Sequence, residues 1–422
     1  MMFNRRQALS LIGATSAIAA MAPLSFAQTN AKVVVIGGGF GGASAARYLK
    51  SLLPNLSVTL VEPNPVFTAC PFSNLVIAGL RGIEAQQMGY DGVAASGVTL
   101  AQTRAIAVDP DQKTVSLESG ATLQYDRLIL SPGIDFRWGA LDGYDETTPD
   151  LLPHAWKAGP QTLLLRQQLE AMEDGGTVIM TVPAAPFRCP PGPYERASLI
   201  AHYLKTQKPS SKLLILDSNS KFSKQPLFEE AWRTHYSGHL EWRGPSEDGR
   251  VSRVNASEKS VETDFETHTG DVLNIIPPQK AGMIADLAGV TDPTGWCPIY
   301  GDSFESQLVP NIHVIGDATI ATPMPKSAFS ANLQAKICAI AVARLLNDEA
   351  PEPTTLANTC YSYITPDQAI SVVGVYSNQN RTLASVDGAG GISPLNAEAF
   401  VRETEARQAN SWFDTITQEA FG

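Results

Sequence analysis

The sequence predicts an α/β fold: two units of parallel strands alternating with helices, then a smaller C-terminal unit. Three observations carry this. Lys32–Gly42 reads KVVVIGGGFGG, a β-branched apolar run ending in glycines at GxGxxG spacing. A second strand–helix–strand pattern, lacking those glycines, ends with the apolar run at Leu213–Asp217. A later short strand, Ile312–Ile315, leads through Gly316-Asp317-Ala318 into a long helical pattern from Ala328 to Leu346. A chain of 422 residues is long enough for two or three domains.

The elements follow in order. Val33–Ile36 reads as a buried strand. Gly37 permits the tight turn, Gly39 lets the backbone approach a pyrophosphate, and Gly42 lets the next helix pack closely on the strand. That helix carries Gly42, Ala46, Leu49 and Leu53 on one face, and its N-terminal N–H groups suit phosphate. Strand Val58–Val61 ends in Glu62, placed to hold a ribose hydroxyl. This order of strand, helix, strand and acid predicts dinucleotide binding. A loop holding Cys70 and Pro71 follows, then a hairpin whose strands are Ala105–Val108 and Thr114–Leu117. Tyr125–Gly133 reads as a strand running into a glycine turn.

A new unit starts near Leu151, with helix Gln161–Met172 and strand Thr177–Val182. Where a second phosphate loop is due, the chain has prolines at 183, 186, 190, 191 and 193. Proline has no N–H to offer a phosphate, which argues against NAD(P)H as reductant. Helix Tyr194–Thr206 and strand Leu213–Asp217 complete the unit. The expected domains are 31–150 with 270–346 for the first, discontinuous unit, 151–269 for the second, and 347–422 for the C-terminal unit.

Residues 1–27 read as an export signal: Arg5 and Arg6, no acids, an apolar run, and Ser25-Phe26-Ala27 at the end. The paired arginines resemble a twin-arginine signal, so the expected location is periplasmic. Removing this segment takes the formal net charge from −11 to −13, because Arg5 and Arg6 are its only charged residues. So acidic a chain is unsuited to nucleic acid or anionic lipid, and a basic protein partner fits better. No other run is long enough to span a bilayer. The five cysteines show no metal-ligand spacing, their odd number leaves at least one outside any internal bridge, and the residues alone leave the pairing open.

Several strings are unusual: LPHAWKAG (Leu152–Gly159), AAPFRCPPGPYERAS (Ala184–Ser198), GWCP (Gly295–Pro298), HVIGDA (His313–Ala318), NTCYS (Asn358–Ser362) and SWF (Ser411–Phe413). On these the chain resembles the flavoprotein subunits of flavocytochrome c sulfide dehydrogenases. Their wider relatives are sulfide:quinone oxidoreductases and glutathione-reductase-like flavoproteins. The resemblance implies two Rossmann-like domains of glutathione-reductase type holding FAD. It implies that Cys189 and Cys360 form a redox-active disulfide beside the flavin, and that Cys70 is joined to the flavin by a thioether. Gly133, Gly316, Asp317, Lys326 and Trp412 are implied on the cofactor side.

The residues add that Cys189 precedes a helix N-terminus, which favours a thiolate, and that Glu195 is placed as a base. As the third helical residue, Glu195 could equally serve the helix dipole, and Asp317 could cap a helix. The expected reaction is attack of hydrosulfide on the disulfide, transfer of two electrons to FAD, and release of polysulfide or sulfur. The electrons would pass to a c-type cytochrome. The chain has no CxxCH, so that haem belongs to another polypeptide. Two other readings compete. One is a sulfide:quinone oxidoreductase. The other is a non-catalytic flavin and disulfide partner of a sulfur-oxidation complex.

Overall fold

The computed structural model describes residues 30–422, so the expected export segment 1–27 lies outside the described residues. A five-stranded parallel sheet organises the first unit. Its strands lie in the order Ile312–Val314, Arg127–Leu130, Lys32–Ile36, Ser57–Val61 and Thr99–Ala101. Val33–Val35 and Leu128–Leu130 are buried, as expected for parallel strands covered on both faces. The helix Phe40–Leu52 starts directly after the glycine turn and packs against Ala328–Leu345. Gly42 explains the close helix–strand approach: a Cβ there would lie 1.8 Å from the Gly37 carbonyl oxygen.

A four-stranded parallel sheet forms the second unit, in the order Leu240–Arg243, Lys212–Asp217, Thr177–Val182 and Val272–Ile275. Its last strand corrects the expected boundary at residue 270. Val272–Ile275 is buried and pairs with Val178–Thr181, so it belongs to the second unit. The chain returns to the first unit after Ile276, where Pro277 and Pro278 cannot extend the ladder. A small antiparallel meander over 253–269 sits on the same unit.

Beyond residue 350 the long antiparallel strands Thr355–Tyr363 and Ala369–Gln379 pair along their length, with Thr382–Ser385 at the edge. The helix Ala399–Phe421, unassigned by sequence reasoning, then crosses back to the first unit. Its terminal Phe421 stacks on Phe67 at 5.2 Å and meets Phe40 edge-on. Arg47 donates to the carbonyl oxygens of Gln418, which also accepts from the Gly422 N–H, and of Glu419, both in the last turn of this helix. Among the described residues, no helix is long and apolar enough to cross a membrane.

Candidate active site

The two parallel-sheet units and the C-terminal sheet line a partly open cavity. Gly39, Cys70, Cys189, Asp317, Cys360 and Trp412 all face it, although they are scattered over most of the sequence. Gly133, Glu195 and Gly316 also line it.

The glycine turn divides its work as its spacing predicts. Gly37 has φ +98°, in the left-handed region that favours glycine. Gly39 is different: a Cβ there meets nothing closer than the Phe67 ring at 3.3 Å, so its free side belongs to the cavity. Gly42 packs helix on strand, and neither Gly37 nor Gly42 lines the cavity. Glu62 stands at the end of its strand, and its Oε2 accepts from the Gly38 N–H at 2.8 Å. Gly133 and Gly316 both have positive φ, and the Gly316 N–H donates to Gln334 at 2.8 Å.

Asp317 lies in a short 3-10 turn and does not cap the following helix. Ser327 does, accepting from the Ser330 N–H at 3.0 Å. Burial raises the Asp317 carboxyl above its ordinary range, and Arg188 stands 3.9 Å from Oδ2. Its buried Oδ1 has no hydrogen-bond partner among the described residues. An orphaned buried acceptor facing a cavity suits a hydroxylated ligand. Together with the open side of Gly39, it fits the ribityl and pyrophosphate parts of FAD.

Cys189 and Cys360 meet at the cavity wall as free thiols in hydrogen-bond contact. Cys189 sits at φ +55° on the proline-rich loop, where its N–H donates to the Lys326 carbonyl at 2.9 Å. Cys360 sits opposite Val372 in its sheet. The hydrogen bond to Cys360, then burial, pushes the Cys189 thiol well up, whereas that same bond pulls Cys360 down. At Cys189 the neighbouring thiol and burial therefore oppose the pull of the helix N-terminus beyond it. That helix begins at Gly192, which makes Glu195 its fourth residue. Glu195 is buried beside the thiols, and burial raises its carboxyl. Its oxygens accept from Asn74 Nδ2 at 2.7 Å and from the Tyr363 N–H at 2.9 Å. Both bonds run to other units of the fold, so Glu195 does more than complement a helix dipole.

Cys70 reaches the cavity edge, with Sγ 3.7 Å from the Trp156 carbonyl oxygen. Trp412 stacks on Phe329 at 6.5 Å. Lys326 does not reach the cavity with its ammonium group. Nζ donates to the carbonyl oxygens of Asp317 and Thr319 and lies 3.8 Å from the Trp296 ring centroid. Burial pushes it down to about 8.

Sequence reasoning missed the buried scaffold behind the site. Arg196 is its hub: it donates to Asn74 Oδ1 at 3.0 Å, to Asn274 Oδ1 at 2.9 Å, and to the His154 and Ala155 carbonyls at 3.0 and 2.5 Å. Burial brings its guanidinium down to about 9. Its guanidinium also lies 5.0 Å from the Trp156 ring centroid. The one signal available was the charged pair Glu195-Arg196 in the half of the helix that is otherwise short of charge.

Comparison with known proteins agrees with this geometry. Residues 31–156 match the pyridine nucleotide-disulphide oxidoreductase family. Residues 162–277 match the central domain of the sulfide dehydrogenase (flavocytochrome c) flavoprotein chain, and 352–421 match the flavin-binding domain of flavocytochrome c sulphide dehydrogenase. A sulfide dehydrogenase (flavocytochrome c) flavoprotein chain sequence from Chlorobaculum thiosulfatiphilum is 67% identical over 45 residues, covering 94% of that sequence and 11% of this chain. The chain belongs to the flavocytochrome c sulfide dehydrogenase flavoprotein family. It is thus an FAD-binding oxidoreductase of the sulfide-oxidising group. The sulfide-quinone reductase of Aquifex aeolicus is 25% identical over 355 residues, covering 77% of this chain and 78% of the relative. The mitochondrial sulfide:quinone oxidoreductase of Mus musculus is 24% identical over 77% of this chain and 73% of its own length. The solved sulfide:quinone oxidoreductase from Aquifex aeolicus shares the fold with a TM-score of 0.72 at 18% identity, covering 92% of both chains.

This family's flavin requirement makes the glycine turn testable. Gly39→Val should give folded protein without flavin, because its side chain projects toward the cavity. Gly42→Ala should fail to fold, given the 1.8 Å approach. Visible absorbance beside far-UV circular dichroism distinguishes the two, and a fully yellow Gly39→Val protein contradicts this role for the turn.

Proposed function

We propose that this chain oxidises sulfide through the Cys189–Cys360 pair and delivers the electrons to a c-type cytochrome, in the periplasm. The observation carrying this reading is that Cys189 and Cys360 stand together on the wall of the cavity that Gly39 and Asp317 also face. Hydrosulfide attacks the oxidised pair, leaving a persulfide on one cysteine and a thiolate on the other. Glu195, with its carboxyl raised by burial, takes up or returns a proton there. Gly39, Glu62, Gly133, Gly316 and Asp317 hold FAD, and Trp412 borders it. A second hydrosulfide carries the outer sulfur away as a polysulfide and leaves both cysteines reduced. FAD, when bound, would accept the two electrons released as the disulfide re-forms. Haem is supplied by a separate polypeptide, since this sequence has no CxxCH.

The match of residues 352–421 to the flavocytochrome c flavin-binding domain favours the cytochrome reading. The acidic net charge of −11 suits a basic partner. Similarity to sulfide:quinone oxidoreductases over 77% of the chain favours quinone as the second reading. Steady-state rates with sulfide and either cytochrome c or a soluble quinone decide between them. A clear preference for quinone rejects the cytochrome.

The Cys70 thiol at the cavity edge supports a thioether to the flavin. Flavin should then stay with the polypeptide through acid denaturation and be released from Cys70→Ala. Free FAD from the unsubstituted protein rules the bond out.

NADH and NADPH should reduce the flavin negligibly. The crevice at the ends of the second sheet is filled by the protein's own groups. Tyr194 stacks on Phe222 at 3.7 Å. Buried Asp217, at the position of a ribose-binding acid, accepts from Tyr194 at 2.7 Å and Trp242 at 3.0 Å. Rapid bleaching by either nucleotide would show that this crevice opens.

A further inference from the structure

We propose that Lys224 is a positioning residue that makes Cys360 the leaving thiolate and Cys189 the sulfur that sulfide attacks. The inference rests on the disulfide reading above and adds a direction to it.

Lys224 is the residue before helix Gln225–His235, with φ +61°, and is only 5% exposed. Its Nζ donates to the Cys360 carbonyl at 3.1 Å, to Ser362 Oγ at 2.8 Å and to the Ile370 carbonyl at 3.3 Å. Three donors thus meet three acceptors, and all three acceptors are uncharged. The neighbouring carboxylates are engaged elsewhere. Glu195 accepts from Asn74 and the Tyr363 N–H, and Glu405 faces Arg402 at 3.7 Å. A buried ammonium is unfavourable; Glu195 and Glu405 offset part of that cost, and a negative charge on Cys360 offsets more.

Other charges face the pair from three elements. From the proline-rich loop comes Arg188, which already stands against Asp317 and donates to the Trp156 carbonyl. From helix Gly192–Gln207 come Glu195, which disfavours a thiolate on either cysteine, and Arg196, held by its amide and carbonyl partners. Glu405 of the C-terminal helix acts on Lys224. Arg188 and Arg196 act on Cys189, whereas Lys224 is hydrogen-bonded to the carbonyl of Cys360 itself and is the cation that favours a thiolate there. Its ammonium is pushed down by burial, and Cys360 most strongly opposes that shift.

The step balances. Hydrosulfide forms a bond to Cys189 Sγ, the Cys189–Cys360 bond breaks, and its electron pair leaves on Cys360 Sγ. The incoming sulfur is oxidised to the persulfide level while Cys360 is reduced. The thiol of lower pKa is the faster leaving group.

Two measurements test this. Oxidised protein is treated anaerobically with one equivalent of sulfide, trapped with iodoacetamide and mapped by mass spectrometry. The extra sulfur is expected on Cys189, and finding it on Cys360 overturns the direction. Sulfur on neither cysteine counts against the disulfide reading instead, and the second measurement then decides for Lys224 alone. In reduced protein, Cys360 should be alkylated at lower pH than Cys189. Lys224→Met should move the Cys360 profile up by about one pH unit, roughly a tenfold slowing near neutrality, and Lys224→Arg should restore it in part. An unchanged profile in folded Lys224→Met overturns the role. Should that variant not fold, the order of the two cysteines in the unsubstituted protein still decides, and the reverse order sinks the proposal.

Discussion

Cys189→Ser and Cys360→Ser should each reduce sulfide-driven flavin bleaching by at least about a thousandfold, roughly 4 kcal/mol of barrier. Both should keep their flavin. The glycine turn and Asp317 belong to the first unit, whereas Cys189 lies on a loop of the second and Cys360 in the C-terminal sheet. A merely structural bridge predicts the opposite pattern. Its loss would lower stability by about 2–5 kcal/mol, while whatever remained folded bleached normally. Thermal midpoint and bleaching rate, measured on the same preparations, separate the two. A Cys360→Ser protein that melts early yet bleaches at the full rate would leave the site without its sulfide acceptor.

Arg196→Leu should produce a large loss of stability. It removes the donor to three buried acceptors, the side-chain oxygens of Asn74 and Asn274 and the Ala155 carbonyl, and one of two donors to the His154 carbonyl, which keeps Asn274. Each buried acceptor left unsatisfied costs about 1–3 kcal/mol. With partial relaxation, a net loss of about 3–5 kcal/mol follows, or a fall in melting temperature on the order of 10 °C. Arg196→Lys should recover little, because a point charge cannot reproduce the planar fork. Flavin affinity should fall as well, since Asn74 also orients Glu195 at the cavity. A variant that melts within about 1–2 °C of the unsubstituted protein would show that water can replace this hub.

The first unit was readable in the sequence because its signals are local. Val33–Ile36 needs burial on both faces, Gly37 needs a positive φ, and Gly42 needs to lack a Cβ. Each requirement is met within a dozen residues, so the sequence alone determined the strand, the turn and the helix that position a dinucleotide. The same locality set the strand Thr177–Val182 and the prolines beyond it. The family's strings named the two cysteines, but no spacing could pair them.

What lies between distant segments was decided by tertiary structure. Glu195 gains its raised carboxyl from burial among Asn74, Tyr363 and Arg196, residues drawn from three parts of the chain. The strand Val272–Ile275 joins the second sheet because a buried edge beside Thr177–Val182 accepts it, and no nearby residue announces that edge. Cys189 precedes a helix N-terminus, which by itself favours its thiolate. The neighbouring Cys189 and then Lys224, which reaches the Cys360 carbonyl from the residue before helix Gln225–His235, act in the opposite sense and favour charge on Cys360. Electrostatics in a dry interior acts over whatever the fold brings within a few ångströms, and that proximity is what the order of residues along the chain does not record.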